Sequence, residues 1–521
     1  MSTARRTHPP RRSPSPSRDG GESRGENKGH NRGRGHGRRR SQAAASGPEA
    51  RQADGHANTK AVRLAVLRAW LRLRTQGKEL EQGQRQGAAT HFEPPPHLQT
   101  PAARHGYARL LRGMVRHQTR LEAEAAHLSR GGLDAVEPEV LGPTLLGLYL
   151  LRIEGTPPHA AVNESVALAT ALGRGRARGW VNGVLRAATR LDVAAFEAEL
   201  GLAERTSHPQ WLVDRWRAYL GDAATEALCA ANNHYAGAAL RVESRRADAA
   251  TVRERLHDAD IAATPHPEWP QALWVEQLGP VLSSAPFREG LLYVQDLTSQ
   301  LACAWLEPRL RGRVLDACAA PGGKLTALRA HLPQGAKQRF ALTAAEPAAG
   351  RMARVRENLH RLRQPAVPLL RADAAHMPFA DGAWDAVLAD VPCSATGMIR
   401  KYPELKWRVL PEDLAQLTAA QAAILAEGAR VLRPGGLLVY ITCALLPEEN
   451  EGQVDAFLAA HPGFSLESLR GGVAPADCTI PPGEMLTARG EMRLLPNQKH
   501  MGLYMALLRK RGEQVEGKGE G

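Results

Sequence analysis

Residues 313–332 read RVLDACAAPGGKLTALRAHL, and the fold of the C-terminal part of the chain turns on them. Val314–Leu315 predict a short strand, which runs into a loop of small residues that opens a helix. In such a strand–loop–helix unit, Gly322 and Gly323 let a ligand approach the backbone, and the helix N-terminus offers unpaired N–H groups. Cys318, Ala319, Ala320, Pro321, Gly322, Gly323 and Lys324 are therefore candidate nucleotide-binding residues. A glycine loop alone does not decide the matter, because tight turns in α/β proteins use the same residues.

The downstream segments strengthen the reading. RFALTAAE predicts a strand ending at Glu346, RMARVRENLHRL a helix, and PLLRAD a strand ending at Asp373. WDAVLAD ends at Asp390, a long helix covers about 412–432, and GGLLVYIT ends just before Cys443. This alternation predicts an α/β, Rossmann-like domain over 301–510, with acids at the carboxyl ends of strands, where open parallel sheets bind ligands. Glu346, about 20 to 30 residues beyond the glycine turn, is placed to accept bonds from ribose hydroxyls. The loop lacks the G-x-G-x-x-G pattern of a NAD site, and S-adenosylmethionine fits it better.

Two of the six cysteines follow predicted strand ends on the acid-bearing side: Cys393 in DVPCSATG and Cys443 in YITCALLPEENEGQV. Their loops mark them as reactive thiols, whereas Cys229, Cys303 and Cys478 read as buried structural residues. Cys318 is expected to pack beside the ligand. With no Cys-x-x-Cys pair and no secretory signal, reduced thiols and a cytoplasmic location are expected. No zinc spacing appears among Cys and His, so no metal is expected. The longest apolar runs, near Leu145–Leu151 and Leu437–Ile441, are far short of the roughly 18 residues a membrane span needs.

Upstream of residue 301 three regions differ in composition. Residues 1–58 lack Leu, Ile, Val, Phe, Trp and Tyr and carry 13 Lys+Arg against 5 Asp+Glu, which is +8 of the chain's +14. Such a tail cannot bury enough apolar surface to offset its ordering entropy, so disorder and weak, nonspecific phosphate binding are expected. From about 59 to 195, Val62, Val66, Trp70 and Leu71 open a series of amphipathic segments near 103–128, 138–153, 159–173 and 178–191, which predicts an all-helical domain. From 205 to 300, SHPQWLVDRW reads as a helix with Ser207 as N-cap, LRVESRR as a strand and TVRERLHDADI as a helix, which predicts a small α+β linker domain. Residues 511–521 read as a flexible C-terminus.

DACAAPGGK, DVPCSATG and TCALLPEENE together resemble the Sun/Fmu family of RNA 5-methylcytosine methyltransferases. PPHAAVNE and VNGVLR, within Leu146–Arg186, resemble the RNA-binding NusB fold. The resemblance covers about 59–510 and implies methylation of carbon 5 of a cytosine in 16S ribosomal RNA, with S-adenosylmethionine as cofactor and a monomer as the working form. It implies Cys443 as nucleophile, Cys393 as the residue assisting product release, Asp390 as the acid contacting substrate and cofactor, and Asp373 as partner of the adenine amino group. Lys324 is expected to assist electrostatically, and Arg400–Lys401 to hold an RNA phosphate. Carbon 5 of cytosine is a weak nucleophile, and a thiolate adding at carbon 6 makes it enamine-like, which is why such chemistry needs a thiol and a base. Three positions depart from the family pattern: Ala444 follows the nucleophile where serine is commoner, Glu346 replaces aspartate, and Met501 replaces an acid. A transfer RNA methyltransferase and a noncatalytic RNA-binding assembly factor are the alternatives. The NusB-like part argues against the first, and both cysteines with an intact APGGK loop argue against the second.

Overall fold

The computed structural model describes residues 48–79, 92–234, 237–330, 339–470 and 475–512. Residues 1–47 of the basic tail lie outside them. Helix α1 (Pro48–Glu79) starts inside the stretch that composition assigns to that tail, ahead of the expected boundary at 59.

The helical region contains α2 (Pro101–Arg116), α3 (Gln118–Leu128), α4 (Pro138–Arg152), α5 (Pro158–Ala171), α6 (Arg178–Ala188) and α7 (Val193–Glu199). Val66, Leu67 and Trp70 of α1 share one core with Leu111, Leu145, Leu146, Leu168, Val181 and Leu185. The single segment expected over 103–128 is broken at His117. There the Thr119 amide donates to Ser207 Oγ at 2.8 Å. Ser207 is thus not the N-cap of the next helix. It sits at φ 55, and α9 begins after Pro209.

The short α8 (Leu202–Arg205), α9 (Gln210–Leu220) and α10 (Asp222–Asn233) lead into an antiparallel sheet. Its strands are β1 (Ala238–Val242), β2 (Ala263–His266), β3 (Trp269–Val275) and β4 (Leu292–Val294), in the order β2-β3-β1-β4. Helix α11 (Ala249–His257) and the short α12 (Leu278–Ser283) and α13 (Ala285–Arg288) accompany it. Val252 and Leu256 of α11 pack with Leu240, Leu273 and Leu292 of the sheet.

After α14 (Leu297–Leu306) come β5 (Gly312–Asp316), α15 (Gly323–Ala330), β6 (Phe340–Ala345), α16 (Ala349–Arg361), β7 (Leu369–Leu370) and β8 (Trp384–Asp390). The chain continues through α17 (Leu405–Arg408), α18 (Asp413–Val431), β9 (Leu432–Thr442), α19 (Glu451–Ala460), β10 (Phe464–Glu467), β11 (Met492–Leu494) and β12 (Leu503–Lys510). Strand order is β10-β12-β9-β8-β5-β6-β7, with β11 beside β12. The pairs from β9 through β7 are parallel, as the alternation predicts. At the other edge β12 runs antiparallel to β9, β10 and β11, so the sheet is mixed. Val314, Leu388 and Val439 join one core, whereas Leu315, Val387 and Leu438 join the core on the opposite face, as a pleat of period two requires.

Candidate active site

The two thiols meet because β8 and β9 are parallel neighbours in register, with Asp390 opposite Ile441. Cys393 and Cys443 leave the ends of these strands together, and their Sγ atoms lie 3.3 Å apart, each side chain half-buried. The loops are tied to one another as well as to the sheet. Gly397 N donates to Cys443 O at 2.8 Å, and Leu445 N donates to Thr396 Oγ1 at 2.8 Å. The Cys393 thiol is pushed well above its ordinary range by its hydrogen bond with Cys443, by burial and by the neighbouring Glu449.

Beside the thiols the sheet edge carries acids. Lys324 Nζ donates to Asp390 Oδ2 at 2.6 Å. Burial opposes the lysine's charge, but Asp390 more than offsets this, and the ammonium is held protonated above its usual range. Asp316, at the end of β5, is buried and pushed up to about 7, first by burial and then by the charge of Asp390. Glu346 follows β6 and is also buried; its Oε1 accepts the Ala348 amide at 3.1 Å and its Oε2 lies 3.3 Å from Arg351. Asp373 differs from expectation: β7 stops at Leu370, so this acid sits in an exposed turn, accepting the Ala375 amide at 3.0 Å.

The glycine loop is built as the sequence implies. Ala319 N donates to Ala345 O, Gly322 takes φ 96 where a side chain would strain the turn, and α15 starts at Gly323. Ala319 and Ala320 pack into the core on one face of the sheet, Cys318 into that on the other, and Pro321 O accepts Asn358 Nδ2 at 3.0 Å. This donor set fits S-adenosylmethionine: a buried strand-end carboxylate suits ribose hydroxyls, and a rim of acids suits a sulfonium and an amine.

Arg400 is not available to RNA. It is buried, its Nη1 donates to Asn497 O at 2.9 Å, and Arg116 Nη2 donates to its carbonyl at 2.8 Å. Lys401 lies over the Tyr402 ring instead. The chain after Cys393 is therefore a strap onto the helical region. Lys406, fully buried, donates to Arg116 O, Ser207 O and Asn233 Oδ1 at 3.1, 3.0 and 2.7 Å, and Trp407 Nε1 donates to Val115 O. Cys229 and Cys303 are buried, as expected of structural residues, and Cys478 is half-buried. Met501 occupies its position through its backbone, whose amide donates to Asp296 Oδ1 at 3.2 Å.

Sequence reasoning missed Gln421, Glu449 and Asn450, all buried behind the thiols. The acidic run PEEN, separated from Cys443 by three residues, is the signal that points to the last two, since acids drawn into a strand-end loop need partners there.

A glycine loop leading into α15, a buried ribose-type acid and an acid-rimmed parallel edge define the class: an S-adenosylmethionine-dependent methyltransferase. A family described as "16S rRNA methyltransferase RsmB/F" matches residues 303–509, "Methyltr_RsmF/B-like, ferredoxin-like domain" matches 208–282, and "NusB family" matches 60–190. Ribosomal RNA small subunit methyltransferase B of Pseudomonas syringae pv. tomato is 37% identical over 410 residues, covering 78% of this chain and 89% of that protein. The protein of the same name from Yersinia pestis bv. Antiqua is 37% identical over 341 residues, covering 65% and 77%. The crystal structure of PH0851 shares the fold, with a TM-score of 0.65 and 24% identity over 87% of this chain and 98% of that one. The chain belongs to the ribosomal RNA small subunit methyltransferase B family.

Proposed function

We propose that the protein methylates carbon 5 of a cytosine in 16S ribosomal RNA through a covalent adduct between Cys443 and the base. The observation that carries this reading is the pair of sulfurs 3.3 Å apart at the ends of β8 and β9, beside the acid-lined edge. Cys393, whose thiol is pushed up by its bond to Cys443 and by burial, keeps its proton beside the Cys443 sulfur. Cys443 then adds to carbon 6 of the cytosine, while Asp390, fixed by Lys324, faces the base and steadies charge at its ring nitrogen. S-adenosylmethionine supplies an electrophilic methyl group when bound. Glu346 would hold its ribose, Asp373 its adenine amino group, and Cys318–Lys324 its flank. After carbon 5 is methylated, a base takes the carbon 5 proton, the carbon 5–carbon 6 double bond forms and the carbon 6–sulfur bond breaks, expelling the Cys443 thiolate, a departure assisted by the Cys393 thiol beside it.

The target must be single-stranded or turned out of its stack, since both carbon 5 and carbon 6 have to be reached. Arg176 and Trp180, which line a groove of the helical region beside an Arg174 paired with Glu137 and Glu139, are suited to gripping flanking RNA. The test is to incubate the full chain with unmethylated 16S RNA and methyl-labelled cofactor, then map the label. Label on carbon 5 of cytosine, lost in Cys443→Ala and replaced by a stable protein–RNA complex in Cys393→Ala, is expected. Label elsewhere, or full turnover by Cys443→Ala, overturns the reading.

A further inference from the structure

Behind the thiols lies a buried polar network that the chemistry above does not use. Glu449 Oε1 accepts the amide of Ser394, the residue after Cys393, at 2.8 Å. Gln421 Nε2 donates to the same oxygen at 3.0 Å and to Pro392 O, just before Cys393, also at 3.0 Å. The Cys393 turn is thus held on both sides by one carboxyl–amide pair. The next residue, Asn450, does the same for the other thiol. Its Oδ1 accepts Thr442 Oγ1 at 2.6 Å and its Nδ2 donates to Ala444 O at 3.1 Å, the two residues that flank Cys443.

Tyr440 ties the network to the sheet, its hydroxyl donating to Glu449 O at 2.6 Å. Every member is buried: Gln421, Glu449 and Thr442 are fully inaccessible, and Asn450 is 1% exposed. Glu449 Oε2 finds no hydrogen-bond partner among the described residues, and burial pushes this carboxyl above its usual range. A carboxyl in so costly a place is kept for what Oε1 does.

We infer that Glu449 and Asn450 are positioning residues, Glu449 for Cys393 and Asn450 for Cys443, which together set the spacing of the two sulfurs. Neither touches the base. The separate assignments rest on the roles proposed above for the two thiols, and they predict that each substitution slows a different step.

The experiment uses the full chain with unmethylated 16S RNA and S-adenosylmethionine, quenched over time, with the covalent protein–RNA species resolved on denaturing gels. Losing one brace misplaces one sulfur, which is expected to slow the step that sulfur performs roughly tenfold or more. Glu449→Ala should form the adduct at the wild-type rate and accumulate it, because release is slow. Glu449→Gln, whose carbonyl still accepts the Ser394 amide, should restore release. Asn450→Ala should form the adduct slowly and release it normally, with the equilibrium Kd for RNA unchanged in all three.

Equal slowing of both steps by both variants, failure of Glu449→Gln to restore release, or an effect on Kd alone overturns the inference. A second readout needs neither RNA nor turnover. An azodicarboxamide oxidant takes two electrons and two protons from the thiols, becoming the hydrazide as the Cys393–Cys443 disulfide forms. Glu449→Ala and Asn450→Ala should form it roughly tenfold more slowly than wild type. If wild-type protein gives no adduct, the proposed function fails and this rate alone decides the positioning claim, with wild-type rates in the variants overturning it. If the alanine variants do not fold, Glu449→Gln and Asn450→Asp are compared in the same oxidation. Asn450→Asp keeps the acceptor for Thr442 but loses the donor to Ala444, so it should slow bridging while Glu449→Gln should not; equal rates overturn the claim.

Discussion

Replacing Gly397 by alanine adds one methyl group where the Cys393 loop passes over the Cys443 loop. A Cβ there would stand 2.7 Å from Cys443 O, 2.9 Å from Gly502 Cα and 3.1 Å from Gly502 C. All three are backbone atoms, so no side chain can rotate away. Ordinary contact begins at 3.4 Å, and the chain must open by about 0.7 Å next to the nucleophile candidate. Gly397 does not have a positive φ, so alanine suffers no backbone strain and the effect is purely one of space. Overpacking of this kind costs about 1–3 kcal/mol of stability. Misplacement of a reacting atom by about 1 Å can cost about 100-fold in rate, so a loss of roughly 10- to 100-fold in kcat is expected. The measurement pairs single-turnover methyl transfer with thermal unfolding. Gly183→Ala is the control: it lies within α6 with open space around its would-be Cβ and should gain about 0.5–1 kcal/mol. If Gly397→Ala keeps turnover within about twofold of wild type and loses no stability, the loops are not packed as described and the reasoning fails.

Asp316, with its pKa raised to about 7 by burial and by Asp390, binds its proton more tightly folded than unfolded. Its contribution to stability is therefore present in full below about pH 4 and lost as pH rises through about 7. Asp316→Asn should flatten that fall in urea unfolding of the cofactor-free protein, and an unchanged pH dependence would exclude Asp316 as its source. Glu346→Ala should weaken S-adenosylmethionine binding by about 10- to 100-fold in calorimetry, the worth of a hydrogen bond to a charged acceptor, and leave RNA affinity unaltered. Lys406→Met strips the donor from three acceptors and should cost about 1–3 kcal/mol, net of relief from burying an amine whose pKa burial pushes well below its usual range. Denaturant midpoints check this, and no loss would mean that the strap is held by Trp407 and Arg116 alone.

The half of the sheet that carries the site was legible because βαβ units leave a periodic trace: strand, helix, strand, with acids at the ends of β5 and β8 and just after β6. Glu346, Asp390, Cys393 and Cys443 fall where those ends predict. Asp373 does not, because PLLRAD carries the apolar residues of a strand but Leu369–Leu370 alone find a neighbour at the sheet's edge. The antiparallel β12 escaped notice for a related reason. LYMALL fits a buried strand in either direction, and direction is set by the route of the chain rather than by side-chain period. Ser207 illustrates a third limit. Serine before a helix is a good cap by local rule, yet its hydroxyl was claimed by the amide of Thr119, 88 residues earlier in the chain.

The same limit changes what the basic charge means. Outside the tail the chain holds 55 Lys+Arg against 49 Asp+Glu, a net of +6 that makes the rest only mildly basic. Several of those basic side chains are spent inside the protein. Arg116 and Lys406 bind the strap to the helical region, Arg400 is buried with Nη1 on Asn497 O, and Arg241 is buried with its guanidinium on Gln295 Oε1, Gly323 O and Thr326 Oγ1. Counting charge therefore overstates the surface offered to phosphates. Backbone carbonyls, which do not enter a charge count, receive most of these bonds. The strap places the helical region in mechanical contact with the loop of Cys393, and Arg241 places the antiparallel sheet in contact with the cofactor loop. Both accessory regions thus contact the loops of the site through buried basic side chains.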